Sequence, residues 1–262
     1  MTHVNTTATT PAAPGSKEGE PVQYSIGKIL AVWAAAALPM GLLAWVGAPW
    51  LAQILGRPNA LGESLLVLLA VGLVWQGVLV LVLVWREQRS LRWEVLRQAL
   101  WLNPPTSPRS ERSGGRVWLI LIPLAVLFYA ETFLPSFAPP ASRDFGAFLA
   151  SPSGEAFFHG AWGWYGLLIV MWIFNTVLGE ELLFRGLLLP RMNNVFGRFD
   201  WLANGVLFAA YHLHMPWRIP AILFDSFILA YPTKRYRSAW MGIAVHSMQS
   251  VFLAAIVLSL VL

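Results

Sequence analysis

The sequence predicts an all-α integral membrane protein, a polytopic bundle of about seven transmembrane helices, with eight as the alternative. Of the 262 residues, 57% are hydrophobic and 12% are charged, whereas about 25% of the residues of a soluble domain are charged. Apolar runs comparable to the roughly 20 residues that cross a hydrocarbon core recur along most of the chain. The chain has no cysteine, which excludes disulfides and thiolate metal sites.

The first 27 residues differ in composition from the rest. They begin MTHVNTTATTPAAPGSKEGEPVQ, which is rich in Thr, Pro and Ala and has no apolar core. We therefore expect 1–27 to form a disordered cytoplasmic tail and not a cleaved signal peptide. Residues 28–262 leave no room for a separate soluble domain, so we expect one integral membrane domain, with the motif-bearing core at about 162–262.

Basic residues indicate which ends of the predicted spans face the cytoplasm. With the N-terminus inside, 15 of the 18 Lys and Arg residues lie on the cytoplasmic side, and Arg57, Arg143 and Arg218 lie outside. The positive-inside rule therefore favours a cytoplasmic N-terminus, and we expect a multi-pass protein of the cell (plasma) membrane. The predicted spans are 29–50, 64–85, 117–137, 162–190, 199–214, 219–231 and 238–262.

The net charge of +5 belongs mostly to this predicted cytoplasmic face. Anionic lipid headgroups attract Lys and Arg at that level of the membrane. We therefore expect the lipid bilayer to be the partner of the basic residues, and we expect no nucleic acid.

The stretch GEELLFRG, residues 179–186, places three charges inside the predicted fourth span. A charge at the bilayer centre costs on the order of 3 kcal/mol or more, so each of these side chains needs a partner or a function. Glu181 and Arg185 are four residues apart in the acid-first order that favours a helical ion pair. Glu180 is rotated by about 100° from Glu181, so it is predicted to be free of that pair.

Two later stretches repeat the four-residue spacing. Phe208 and His212 in FAAYH share one helix face, as do His246 and Ser250 in HSMQS. At a rise of about 1.5 Å per residue, His212 lies at about the same depth as Glu180, and His246 somewhat nearer the cytoplasm. We expect the three side chains to meet in one cavity. A carboxylate and a histidine can take a proton from water, while a second histidine donates to an oxyanion.

These stretches resemble the motifs of the CPBP (Abi) family of glutamic-type intramembrane proteases, which includes the endopeptidase that trims CAAX-prenylated proteins. EELLFR, residues 180–185, is similar to EExxxR. FAAYH, residues 208–212, is similar to FxxxH. RSAWMGIAVHSMQS, residues 237–250, is similar to a final motif containing HxxxN. The three occur in the family's order.

The resemblance implies that residues 28–262 form a protease domain, an intramembrane endopeptidase that cleaves a membrane-associated peptide or protein. It also implies that Glu180 and His212 activate the attacking water and that His246 stabilises the oxyanion. Ser250 departs from the family pattern, which has Asn there. The residues carried over are Glu180, His212, His246 and Ser250 as catalytic, and Glu181, Arg185 and Phe208 as supporting.

Two alternatives accompany this prediction. No cofactor is expected, but the Glu, His and His set also resembles catalytic zinc ligands, and a metal would bind Glu180, His212 and His246. A non-enzymatic scaffold, an immunity protein or a small proton-coupled transporter could use the same cluster. Paired inverted repeats or broken helices would favour a transporter, and the sequence has neither.

Overall fold

A computed structural model describes residues 21–133 and 137–262. Within these ranges all regular secondary structure is helical. The one β-type feature there is an isolated antiparallel bridge between Thr106 and Ser113. The predicted all-α class is confirmed. Residues 1–20 of the predicted tail, and part of the predicted third span, lie outside the described residues.

The main helices are numbered in chain order. Single helical turns also occur at Ala130–Phe133, Ala141–Arg143, Asn193–Phe196, Gly197–Phe199 and Pro216–Arg218. The helices are α1 Ile26–Leu55, α2 Ala60–Gln88, α3 Trp93–Ala99, α4 Gly115–Tyr129, α5 Phe145–Leu149, α6 Pro152–Phe158, α7 Trp162–Arg191, α8 Asp200–Tyr211, α9 Ile219–Tyr236 and α10 Ala239–Val261.

Four helices, α1, α2, α7 and α10, are long and apolar enough to cross a membrane, with 30, 29, 30 and 23 residues. They support an integral membrane protein. Each of the other three predicted spans also overlaps a helix, namely α4, α8 or α9, but α8 has only 12 residues and α4 is likewise short. The number of crossings, seven or eight, therefore stays a prediction.

Helix α7 forms the centre of the bundle. All residues from Leu183 to Met192 are buried, although the helix is long and apolar enough to cross a membrane. Two stretches of α7, Phe174–Gly179 and Leu182–Leu188, are wider π-helical turns. Such turns hydrogen bond from residue i to i+5 and often occur at functional sites. They change the angular positions of the polar side chains on either side of Glu180.

Small residues bring other helices close to α7 and α8. A Cβ atom at Gly179 would lie 3.0 Å from the Leu73 carbonyl oxygen in α2, and one at Gly205 would lie 2.7 Å from the Phe227 ring in α9. The close helix approach that is common in membrane bundles therefore depends on these glycines. It holds α2 and α9 against α7 and α8, two of the three helices that carry the motifs.

A buried polar cluster fastens the start of α1 to the ends of α2 and α7. Arg191 donates from Nε to Glu87 at 3.0 Å and from Nη1 to the carbonyls of Ala99 and Leu187, both at 2.9 Å. The Tyr24 hydroxyl also donates to Glu87, and burial raises the pKa of this phenol well above its usual value. The cluster fixes the ends of these helices. It does not include the charged side chains of GEELLFRG, which make their contacts elsewhere in the bundle.

Candidate active site

The two glutamates and the arginine of GEELLFRG are all buried. Glu180 is 2% exposed, and Glu181 and Arg185 are fully buried. A buried charge is tolerated only when it is paired and hydrogen bonded. The contacts of these three side chains therefore define what the site can do.

Glu180 faces His212, which follows the last residue of α8. The Glu180 Oε1 to His212 Nε2 distance is 4.0 Å. Because α8 ends at Tyr211, the His212 backbone N–H bonds the Ala209 carbonyl, and the ring Nδ1 bonds the Phe208 carbonyl at 2.9 Å. A carbonyl only accepts, so Nδ1 carries the proton and the Nε2 of the neutral ring has a free lone pair. This lone pair belongs to the nitrogen nearest Glu180.

Asn175 and Tyr211 also contact the Glu180 carboxylate. The Asn175 amide nitrogen, turned towards Glu180, donates to Oε2 at 2.8 Å and to Oε1 at 3.0 Å. The Tyr211 hydroxyl accepts a 2.6 Å bond from Gln76 and is itself hydrogen bonded to Glu180. These donors satisfy the carboxylate lone pairs within a water-poor interior, as a buried charge requires.

Sequence reasoning missed Asn175 for a geometric reason. In a regular α-helix, residues five apart are rotated by about 140°, so a helical wheel places Asn175 away from Glu180. The π-helical turn Phe174–Gly179 brings residues five apart to similar faces. A polar residue one turn before a motif glutamate was the only available signal.

Glu181 has two partners. Its Oε1 lies 3.2 Å from Arg185 Nη1, which is the ion pair predicted from the spacing, and 3.0 Å from His246 Nδ1 on α10. The second contact was not predicted, because His246 was expected to meet Glu180 and His212 in one cavity. An ionised carboxylate only accepts, so Nδ1 donates to it and Glu181 fixes the ring orientation.

The Phe208 ring lies between the motif side chains. Its centroid is 3.9 Å from the Arg185 guanidinium carbon, 4.8 Å from the His212 ring and 6.2 Å from the His246 ring. The first contact has cation–π geometry, and the Arg185 nitrogens have no well-aligned hydrogen bond in the described part of the chain. The charge of Glu181 and the face of Phe208 therefore hold Arg185, so α7, α8 and α10 meet around one ring.

Ser250 lies one turn beyond His246 on α10 and is buried. Ser247, on the same helix, donates to Thr176 Oγ1 at 3.1 Å, and Thr176 lies one turn before Glu180 on α7. This bond joins α10 to α7 beside the site. The Ser247 and Thr176 hydroxyls were also missed, since isolated Ser and Thr residues are common in membrane helices.

His214 lies beside the candidate site. It is buried, and its ring lies 5.2 Å from the His212 ring. The two residues would point to different faces of a continuing helix. Because α8 ends at Tyr211, the chain turns and brings both rings to the same region.

Asp225, another buried carboxylate, belongs to a separate cluster. It is hydrogen bonded to Glu131, which forms an ion pair with Arg218. This cluster joins the end of α4 to α9. Asp225 thus makes a polar contact with the turn that follows a neighbouring helix.

The alternative metal site was Glu180, His212 and His246. In residues 21–133 and 137–262, no group of three His, Asp or Glu side chains has the geometry to hold a metal ion. His246 Nδ1 bonds Glu181, so only its Nε2 is left as a possible ligand. These side chains, as placed, do not fit a three-ligand metal centre.

One comparison with known proteins finds a match. Residues 161–252 match a family model described as Type II CAAX prenyl endopeptidase Rce1-like. The match covers about a third of the chain and includes all three motifs. No curated protein and no solved structure matches the chain significantly. The resemblance stated from the motifs is confirmed, and it indicates an intramembrane endopeptidase.

Proposed function

From the similarity of residues 161–252 to the type II CAAX prenyl endopeptidases, we propose that this protein hydrolyses a peptide bond in a membrane-associated peptide or protein, using water activated by Glu180 and His212. The observation that carries this proposal is the 4.0 Å approach of Glu180 Oε1 to His212 Nε2, two buried groups that can both accept a proton. We further propose a glutamic-type mechanism in the cell membrane, with the N-terminus in the cytoplasm.

The spacing of the two acceptors suits one bridging water. A water at about 2.8 Å from each atom would subtend an angle of about 90° between them, near its own bond angle. It could direct one hydrogen to each acceptor. Both the carboxylate and the neutral imidazole can then increase the nucleophilicity of its oxygen.

The proposed reaction balances with these groups alone. The water oxygen attacks the peptide carbonyl carbon while one of its protons passes to Glu180 or His212, which gives a tetrahedral intermediate. The C–N bond then breaks, and the same proton passes to the leaving nitrogen. The products are a carboxylic acid, which ionises, and an amine, and the site returns to its starting protonation.

His246 is proposed to stabilise the oxyanion of this intermediate. Donation from Nε2 requires one proton on Nε2 and another in the hydrogen bond between Nδ1 and Glu181. The Glu181 carboxylate oxygen, 3.0 Å from Nδ1, orients the ring so that Nε2 is the nitrogen left for the oxyanion. Ser250, one turn away on α10, is proposed to assist in the position where the family pattern has Asn.

The first test is a cleavage assay with the full-length protein in liposomes. We expect it to cleave a prenylated CAAX-type peptide or another membrane peptide within the chain, and we expect a metal chelator to leave the rate unchanged within about twofold. Mass spectrometry of the products locates the cleaved bond and, in ¹⁸O-labelled water, shows one labelled oxygen in the new carboxylate.

Loss of cleavage in chelator, with recovery after metal is added back, would contradict the glutamic-type mechanism. It would leave the proposed protease activity standing. Absence of cleavage of every membrane peptide, in a protein that remains folded, would contradict the protease itself. A matched liposome containing His212→Gln protein measures background hydrolysis.

The close contact at Gly242 gives a second prediction. A Cβ atom there would collide with Glu181 Oε2 and lie 3.2 Å from Thr233 Oγ1. We expect Gly242→Ala to displace Glu181, to lower the free energy of unfolding by about 1–3 kcal/mol and to reduce kcat more than it raises KM. Thermal unfolding and steady-state cleavage measure the two effects.

Gly166→Ala is the matched control, because Gly166 lies in α7 and a Cβ atom there has nothing within 4 Å. It should leave stability and cleavage unchanged. Equal effects of the two substitutions would show that the loss comes from changing a helix glycine and not from Glu181.

A further inference from the structure

A cavity lies away from the active site, where the connection between α3 and α4 meets the first turns of α4 and the end of α9. Its volume is about 940 Å³. Among the residues that line it, three are serines, two are arginines and none is acidic. The rest of the lining is mostly apolar, so the cavity has two chemically different parts.

The polar part is cationic and rich in donors. Arg112 and Arg116 are exposed, and neither forms an ion pair with any residue in the described ranges. Ser107 and Ser110 add hydroxyl groups to the same lining. Guanidinium groups match phosphate oxygens with paired hydrogen bonds, so this part suits a phosphate or another small anion.

The apolar part of the cavity is formed by side chains from the first turns of α4. The apolar lining residues are Val117, Leu119, Ile120 and Pro123, which follow Arg116 along the chain. Leu119 is 59% exposed, and Ile122 on the same helix is 64% exposed. In an apolar membrane helix such side chains contact lipid tails. With α4 in the membrane, we expect the cavity to open between the headgroup level and the hydrocarbon.

The polypeptide around the cavity is held by its own hydrogen bonds. The Ser107 N–H bonds the Arg112 carbonyl at 2.9 Å, the Gly114 N–H bonds the Pro105 carbonyl at 2.9 Å, and the Thr106 N–H bonds the Tyr236 carbonyl at 3.0 Å. The last bond fixes this loop to the end of α9. Since the loop is ordered before any ligand binds, little conformational entropy is lost on binding.

We propose that this cavity binds one acidic phospholipid, such as phosphatidylglycerol. Its phosphate lies between Arg112 and Arg116, and an acyl chain runs along Leu119 and Pro123. Cationic donors above apolar side chains match an anionic amphiphile, whereas a prenyl chain has no charge for the arginines and a zwitterionic lipid adds a cation beside them. The proposal depends on the membrane location of the chain and not on the proposed protease activity.

The test is titration of the purified full-length protein with phosphatidylglycerol or phosphatidylcholine, with native mass spectrometry of the complexes. We expect one phosphatidylglycerol to bind at least about tenfold more tightly than phosphatidylcholine, since each basic side chain near an anionic headgroup contributes appreciably. Arg112→Gln with Arg116→Gln should lose about tenfold in that affinity. Leu119→Ser should weaken binding through the apolar part alone.

The matched control is Arg86→Gln with Arg92→Gln, which removes two exposed arginines, one in the last turn of α2 and one just before α3, that do not line the cavity. It should change the affinity by less than about twofold. An equal loss in the control pair would show diffuse attraction to the surface and overturn the proposal. Equal binding of phosphatidylcholine, or full competition by glycerol 3-phosphate, would overturn it as well. Thermal unfolding of each variant confirms that it is folded.

Discussion

Glu180→Gln is expected to reduce peptide cleavage by about 10²- to 10⁴-fold, the usual contribution of a general base, while the protein remains folded. Glutamine keeps the size of the side chain and one acceptor for Asn175, but it cannot take a proton from water. The ion pair of Glu181 and Arg185, on which the packing of α7 depends, stays intact. The measurement is kcat/KM for the peptide cleaved in liposomes, together with thermal unfolding of the same preparation.

Glu94→Gln is a suitable control, because Glu94 is an exposed carboxylate on the short helix α3. It should retain full activity. Cleavage by Glu180→Gln at the wild-type rate would rule out Glu180 as the base. Loss of activity together with a large fall in the unfolding temperature would instead place Glu180 among the structural residues.

Arg185→Met is expected to lower the free energy of unfolding by about 3–5 kcal/mol, since removing one member of a buried pair leaves the other charge without compensation. Glu181 is fully buried, and its remaining polar contact is His246. The cation–π contact with Phe208 is also lost. Chemical or thermal unfolding in detergent measures the change.

The double variant Glu181→Gln with Arg185→Met should be more stable than Arg185→Met alone, because no unpaired charge stays in the interior. If the double variant is less stable than Arg185→Met, then Arg185 does not stabilise the protein by neutralising the charge of Glu181. Lys28→Met is the control, because it removes a half-exposed cation that is paired with Glu87, whereas Arg185 is buried. Glu87 keeps its bond to Arg191 in that variant, so a change of about 1 kcal/mol or less is expected.

Local spacing predicted part of the candidate site. Glu181 and Arg185, four residues apart, form the expected pair, and Phe208 and His212 lie on a shared face. The seven hydrophobic segments each overlap a helix. Four helices are long and apolar enough to span a membrane, while α8, with its 12 residues, ends earlier than hydropathy suggests. Hydropathy detects apolar length, but it does not detect where a helix stops inside a bundle.

Other contacts depended on departures from regular helix geometry. Asn175 reaches Glu180 because α7 widens into a π-helical turn. His214 reaches His212 because α8 ends at Tyr211. Both departures change the angle between successive side chains, and a wheel drawn with 3.6 residues per turn assigns these residues to the wrong faces.

By itself, the sequence determined that the chain is an apolar helical protein, that its motifs resemble those of a membrane protease, and that residues four apart share helix faces. These are local properties. Composition determines whether a segment partitions into lipid, and backbone geometry determines which residues of one helix share a face. Only the tertiary structure decided that His246 bonds Glu181, that Tyr211 joins Gln76 to Glu180, and that the Phe208 ring is shared. Contacts between helices depend on how each helix is rotated and how closely small residues let it approach its neighbours, and neither quantity is encoded in the spacing within a single helix.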